Sequence, residues 1–269
     1  DVTRAMRALD GVIIVVCAVE GIMPQTETVI RQALKEKVKP VLFINKVDRL
    51  IAELQVTPED MQQRFGKIIT EVNKLISRIV PDEFKKDWMV DAQAGTVAFG
   101  SAYHNWATSL PFMAKKNVSF IQIYDFMEKE QRKELAQAAP LHEVLLDMIV
   151  EKLPSANVAQ NYRIPHIWRG ESEEEIGQSM VNAKADGDSA FMVTKVVLDP
   201  HAGEIAVGRL FSGSIKKGDQ MYVAGMPNAN RVQSVGMFVG GDRIATEVVT
   251  AGNIIAVSGL RDAQSGSTV

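Results

Sequence analysis

The most chemically specific spacing in the chain is Asn45-Lys46-Val47-Asp48, an NKxD pattern. A carboxylate offers two acceptor oxygens side by side, and guanine presents two adjacent donors, N1–H and the N2 amine. Asp48 is therefore suited to a bidentate, charge-assisted pair with guanine. Adenine carries an acceptor at N1, so the same carboxylate would be left unsatisfied against it. That is the stronger form of discrimination. Asn45 can bond the base edge and tie neighbouring loops, and the Lys46 stem can lie flat over a purine ring. Further on, Gly100-Ser101-Ala102 could place backbone N–H groups at the guanine O6. A bare NKxD arises by chance in roughly a few per cent of chains this long, so its structural context decides its weight.

That context is a set of alternating apolar elements. Val41–Ile44 reads as a buried strand that ends on the NKxD residues, and strand ends are where ligands sit in open α/β sheets. Val12–Val19 is a continuous, β-branched apolar run, expected to be a strand buried on both faces. Between them, Gln25–Lys37 has Val29, Ile30, Ala33 and Leu34 at helical spacing. Strand, helix and strand in this order predict a right-handed βαβ unit. Thr57-Pro58-Glu59-Asp60 is a strong helix start, and an apolar face from Met61 to Ile79 predicts a long helix that stops before Pro81. Residues 82–95 read as polar and turn-like. Thr96–Phe99 reads as the strand that delivers Gly100-Ser101-Ala102, with helices expected within about 119–138 and from Pro140 to Pro154. Residues 2–10 read as the end of a helix, and 154–187 as a polar connector in which Glu171–Glu175 is a solvated face or helix start.

From Ser189 the pattern changes. Phe191–Leu198, Glu204–Phe211, Gln220–Val223, Arg231–Phe238 and Ile254–Val257 are short β-rich runs punctuated by glycine, which suggests a compact antiparallel barrel. The expected fold class is α/β followed by an all-β barrel. The expected domains are 1–187 and 188–269.

Composition narrows the function classes. With 46% hydrophobic residues the 269-residue chain can bury ordinary cores. A formal charge of −3 gives no global basic excess, so a nucleic-acid partner must be met by a local patch. Cys17 is the single cysteine, which excludes an intrachain disulfide and suits a reducing cytosol. No apolar run reaches the roughly 18 residues needed to span a bilayer. His104, His142, His166 and His201 form no metal-ligand spacing and read as surface or structural histidines. The chain opens on Asp1-Val2-Thr3 and stops at Gly266-Ser267-Thr268-Val269 in the middle of a strand-like pattern, and both ends read as cuts from something longer.

The segment from Asp1 to Leu50 resembles translational GTPases just downstream of their DxPGH motif. TPEDMQQRFGKIITEVNKLI, VAFGSAYHNWA, APLHEVLLDMIVEKLP, HAGEIAVGRLFSGSIKKGDQMYV and VVTAGNIIAVSGLRDAQSGSTV narrow the resemblance to the elongation factor 2 family of archaeal and eukaryotic type. The resemblance implies the later part of a P-loop-type G domain with an insertion, then most of a translation-factor barrel. It implies GTP hydrolysis coupled to translocation of tRNA and mRNA on the ribosome, in the cytoplasm. Asn45, Lys46 and Asp48 would be its guanine-specificity element, and Ser101 and Ala102 its second base-contacting element.

The 269 residues contain no GxxxxGK[ST] and no DxPGH, so the phosphate cradle, its Mg²⁺-binding hydroxyl and the water-positioning histidine are not among them. GTP or GDP, with Mg²⁺ in the complete protein, is the implied cofactor, and neither is expected to bind this chain tightly. Two charge-assisted bonds at Asp48 are worth roughly 1.5–3 kcal/mol each before binding costs. A millimolar complex already needs about 4 kcal/mol.

Two expectations concern partners. In the family's sheet another strand lies beside Val12–Val19, so this run is expected to be an apolar edge prone to self-association or occlusion. The barrel could instead act as a non-catalytic ribosome or RNA-binding module, with Arg209, Lys216, Lys217 and Arg231 as contacts. An unrelated α/β metabolic enzyme would need a catalytic constellation at a strand end, and the sequence offers none.

Overall fold

A computed structural model describes residues 2–116, 118–129, 131–200 and 203–269. They pack as two units: an α/β unit, Gly11–Leu153, and a barrel unit made of Asp1–Asp10 with Pro154–Val269. His201 lies outside the described residues. Helix α1 (Val2–Ala8) belongs to the barrel unit.

The α/β unit runs β1 (Gly11–Cys17), α2 (Pro24–Lys35), β2 (Lys39–Asn45), α3 (Val47–Ala52), α4 (Pro58–Ile79), α5 (Asp82–Trp88), β3 (Val97–Ser101) and β4 (Trp106–Thr108). It closes with α6 (Leu110–Lys116), α7 (Phe120–Glu128), α8 (Arg132–Ala138) and α9 (Leu141–Lys152). The sheet order is β1-β2-β3-β4, with the first three strands parallel and β4 antiparallel to β3. The expected strand–helix–strand unit is β1-α2-β2. In α2, Ile30, Ala33 and Leu34 turn inward. In α4, Thr57 caps the helix by accepting from the Asp60 amide at 3.2 Å. Its stripe of Met61, Phe65, Ile68, Val72, Leu75 and Ile76 is buried. Phe65 stacks on Phe99 of β3 with ring centroids 5.1 Å apart, which ties this helix to the sheet near the site.

Several expectations change. β1 is not buried on both faces: it is an outer strand of the described sheet, and Val15, on the face opposite Ile14 and Val16, is 52% exposed. Within residues 82–95, α5 replaces the expected turn. Phe84 and Trp88 pack one helical turn apart, and Lys85 pairs with Asp82, so the helix is supported by interactions its polar composition conceals. β4 was not expected either. It hairpins back on β3 so closely that a Cβ at Gly100 would lie 2.3 Å from the Trp106 carbonyl oxygen.

The barrel unit adds α10 (Ala156–Ile167) and α11 (Glu175–Val181) where a connector was expected. Apolar periodicity failed there because α10 turns Gln160 and Arg163 inward beside Ala159 and Ile164. Strands follow as β5 (Ala190–Asp199), β6 (Gly203–Ser212), β7 (Ser214–Lys216), β8 (Gln220–Tyr222) and β9 (Ala229–Arg231). β10 (Ser234–Val239), β11 (Asp242–Thr246), β12 (Val248–Thr250) and β13 (Ile254–Ser258) complete them. A five-stranded antiparallel sheet, β11-β10-β13-β6-β5, is joined by the ribbons β12-β7 and β8-β9 around one apolar core that includes Phe191, Leu210, Ile255 and Val257. A Cβ at Gly208 would sit 1.9 Å from the Met192 carbonyl oxygen, so β5 and β6 approach this closely only over glycine. The final residues pair with β5, Phe191 and Val269 exchanging backbone hydrogen bonds of 2.8 Å in both directions.

Two arginines are buried in this unit. Arg163 Nη2 donates to the Met6 and Arg7 carbonyls at 2.9 and 3.1 Å, and Arg209 Nη1 donates to the Ala8 carbonyl at 3.2 Å. These carbonyls lie in the last turn of α1, where intrahelical partners run out, and the Met6 carbonyl also accepts from the Leu9 amide at 3.3 Å. Arg209 Nη2 also meets Asp10 Oδ2 at 2.8 Å and Gln160 Oε1 at 3.2 Å. Gln160 in turn donates to the carbonyls of Phe211, at 2.9 Å, and Met180. Arg209 is therefore withdrawn from the RNA-contact set expected from sequence: it is 3% exposed and committed to internal partners. Lys216, Lys217 and Arg231 are exposed.

Candidate functional site

β2 is buried from Pro40 to Ile44 and delivers Asn45 at its end. The next residue, Lys46, turns left-handed at φ 64, ψ 34, and this turn feeds Asp48 into the first turn of α3. A non-glycine residue there costs on the order of 1 kcal/mol. The Asn45 side chain holds the turn: its Oδ1 accepts from the Lys46 amide at 2.8 Å and from the Ala102 amide at 3.0 Å. The Asn45 carbonyl accepts from the Ala18 amide at 2.8 Å. One asparagine thus ties the loops after β1, β2 and β3.

Residues expected from sequence to act together do come together. Asn45, Lys46, Asp48 and Ser101 line one cleft of about 480 Å³, within the range of roughly 300–1,000 Å³ usual for small-ligand sites. Ala102 joins them through its amide, which is engaged by Asn45. Ser101 is buried, and its Oγ accepts from the His104 amide at 3.3 Å. That contact shapes the turn that follows β3.

Asp48 is the centre of the electrostatics. Its side chain is 16% exposed, its Oδ2 lies 3.7 Å from His104 Nε2, and its Oδ1 is buried with no hydrogen-bond partner. A buried carboxylate oxygen without a partner costs roughly 1–3 kcal/mol or more, and among the described residues no donor meets this one. Arg49 does not quench it. Arg49 Nε donates to Glu53 Oε2 at 2.9 Å, and that hydrogen bond raises the arginine above its ordinary value.

A family model described as "Elongation factor Tu GTP binding domain" matches residues 1–155, and one described as "Elongation factor Tu domain 2" matches residues 203–269. The chain belongs to the translation elongation factor family. It is similar to proteins named elongation factor 2 from Picrophilus torridus (60% identical), Methanococcus vannielii (58%) and Pyrococcus abyssi (57%), each over 269 residues. All of this chain is covered in each case, and it spans 37% of the length of each relative. The α/β region followed by a β-barrel is the fold that these matches describe.

Within this elongation-factor fold the cleft gathers residues that the NKxD pattern did not announce. His104 reads from sequence as one histidine among four, yet it faces Asp48. Its signal was its place three residues after Ser101. Tyr103, 87% exposed, meets the His104 ring edge-on at 4.8 Å and forms the rim. Arg132 comes from α8, far along the chain, and nothing local marks it. His142 and His166 are exposed elsewhere. Among the described residues no group of three His, Cys, Asp or Glu side chains could hold a metal ion.

Proposed function

We propose that this chain is the base-recognising part of a translational GTPase, and that the cleft at the end of β2 takes the guanine of GTP or GDP. The observation that carries the reading is the buried, unpartnered Oδ1 of Asp48 within an NKxD turn clamped by Asn45. Guanine supplies the two donors that this carboxylate lacks. The Lys46 stem and Asn45 would flank the base, and Ser101 and Ala102 would shape its far side. Phosphoryl transfer depends on positioning and charge at the γ-phosphate. The chain contains no GxxxxGK[ST], so by itself it is proposed to bind nucleotide weakly and to lack GTPase activity. In the complete factor, Mg²⁺-bound GTP would be hydrolysed as tRNA and mRNA move on the ribosome, in the cytoplasm. No helix among the described residues is long and apolar enough to cross a membrane.

The test is base preference. Asp48→Asn should weaken guanosine binding and favour xanthosine, because an amide N–H can donate to the carbonyl that xanthine carries where guanine has its amine. Unchanged preference in a competition titration would remove Asp48 from the base site.

We further propose residues 1–187 as the G-domain portion and 188–269 as the barrel domain. The β1 edge is proposed to pair with a second copy, supported by exposed Val15 and an apolar cleft of about 280 Å³ between β1 and α2. A concentration-independent monomer in sedimentation velocity would overturn that pairing. A second reading treats the barrel as a ribosome-contacting surface, supported by exposed Lys216, Lys217 and Arg231. Phosphate contacts would show as a steep salt slope in filter binding to ribosomal RNA, and a flat slope would exclude them.

A further inference from the structure

We propose that Arg132 is a nucleoside-contacting residue of the same cleft. Its guanidinium would donate to an acceptor of the bound guanine nucleoside, away from the edge that Asp48 reads. The inference rests on the base-site reading and extends it to a helix outside the motif.

Asp48 and Arg132 both line this cleft, and each carries one buried polar atom without a hydrogen-bond partner. Asp48 Oδ1 is a buried acceptor without a donor, and Arg132 Nε is a buried donor without an acceptor. Among the described residues no ion pair joins Arg132 to Asp48, nor to any other carboxylate. The remaining charged partners near it are used: Glu53 holds Arg49, and His104 faces Asp48 Oδ2. A fold that merely tolerated both groups would let them neutralise each other, since a buried arginine–carboxylate pair is favoured over two buried unpaired groups. A ligand between them resolves both at once if it offers donors on one side and an acceptor on the other. A guanine nucleoside does so: N1–H and the N2 amine form one edge, and ring nitrogens, O6 and ribose oxygens lie elsewhere.

The placement of Arg132 is also fixed. It opens α8, whose Leu135 is fully buried and whose following residue, Ala139, accepts from the Ala107 amide of β4 at 3.1 Å. β4 pairs with β3, the strand that ends in Ser101. Arg132 is therefore tied to the strand that carries the second base-site segment. Arginine suits the role because its planar fork both donates and stacks on a ring.

The experiment titrates guanosine, which carries no phosphate, into the 269-residue chain. Amide shifts are followed for the wild type, Asp48→Asn, Arg132→Ala, Arg132→Gln and Arg132→Lys. Loss of one charge-assisted bond in a partly open site predicts about tenfold weaker guanosine binding for the Ala and Gln variants. Arg132→Lys should retain part of the affinity, and the midpoint of thermal unfolding should stay unchanged. If Asp48→Asn weakens binding and neither Arg132→Ala nor Arg132→Gln does, the Arg132 proposal fails and the base site stands. If binding falls only together with thermal stability and Lys does not restore it, Arg132 is structural and the proposal fails. If wild type shows no saturable shift, or Asp48→Asn changes nothing, the base-site reading fails and takes this proposal with it.

Discussion

Two polar clusters, each built on a carboxylate and arginine, are treated in opposite ways by this fold. In the barrel unit, Asp10, Arg163, Arg209 and Gln160 satisfy one another and the last carbonyls of α1, leaving Arg209 Nε as the leftover donor. In the α/β unit, Asp48 and Arg132 line one cleft without pairing with each other, and Asp48 Oδ1 and Arg132 Nε have no hydrogen-bond partner. The first cluster closes a structure, and the second leaves hydrogen-bonding capacity unused, which is what the proposed base site draws on. The difference teaches that burial of a charge is not a sign of function. An unmet partner at a cleft is the better sign.

The comparison can be broken by mutation. The largest expected effect is Arg209→Ala, which leaves Asp10 Oδ2, Gln160 Oε1 and the Ala8 carbonyl without the donor Arg209 gives them, while Arg163 Nη1 stays 3.5 Å from Asp10 Oδ1. A loss of about 3–5 kcal/mol is expected in urea unfolding, and a loss under about 1 kcal/mol would mean the closed cluster is not structural. Asn45→Ala comes next. It strips a partner from the Lys46 and Ala102 amides and should cost about 1–2 kcal/mol, while also lowering guanosine affinity in the same titration. Asp48→Asn should change stability by less than about 1 kcal/mol, or raise it, because Oδ1 of the carboxylate it replaces has no hydrogen-bond partner and Oδ2 has only His104, 3.7 Å away. A large loss there would show that Asp48 serves the fold, as Asp10 does. The smallest effect is at Asp82, whose hydrogen bond to Lys85 lowers its titration below the ordinary aspartate value of 3.8. The stability this gives is present above 3.8 and is lost as pH falls below that through the lowered folded-state value. Because Asp82 is exposed, an Asp82→Asn variant should be indistinguishable from wild type in neutral buffer.

Legibility followed the kind of signal each element carries. α4 was readable to its ends, because Thr57 and Pro58 start it, Pro81 follows it and its apolar stripe is continuous. α10 was unreadable, because its inward face is polar: Gln160 and Arg163 are buried only since α1 and β6 present carbonyls and Asp10 to receive them. β4 is three residues long, too short for any periodicity, and is defined by pairing with β3. At the site, Asn45, Lys46, Asp48, Ser101 and Ala102 were readable as patterns after strands. His104 and Arg132 were not, because their relation to Asp48 exists across the sheet end and not along the chain.

The sequence alone determined the local chemistry of the NKxD turn, the parallel strand–helix–strand that presents it, and the change to a β-barrel near residue 190. A carboxylate's geometry and an apolar period are properties of neighbouring residues, so they survive without the fold. Only the tertiary structure decided that Arg209 is internal, that the Ala102 amide is held by Asn45, and that Asp48 and Arg132 share a cleft without pairing with each other. Whether a charge finds a partner depends on which distant segments reach it, and no local pattern encodes that.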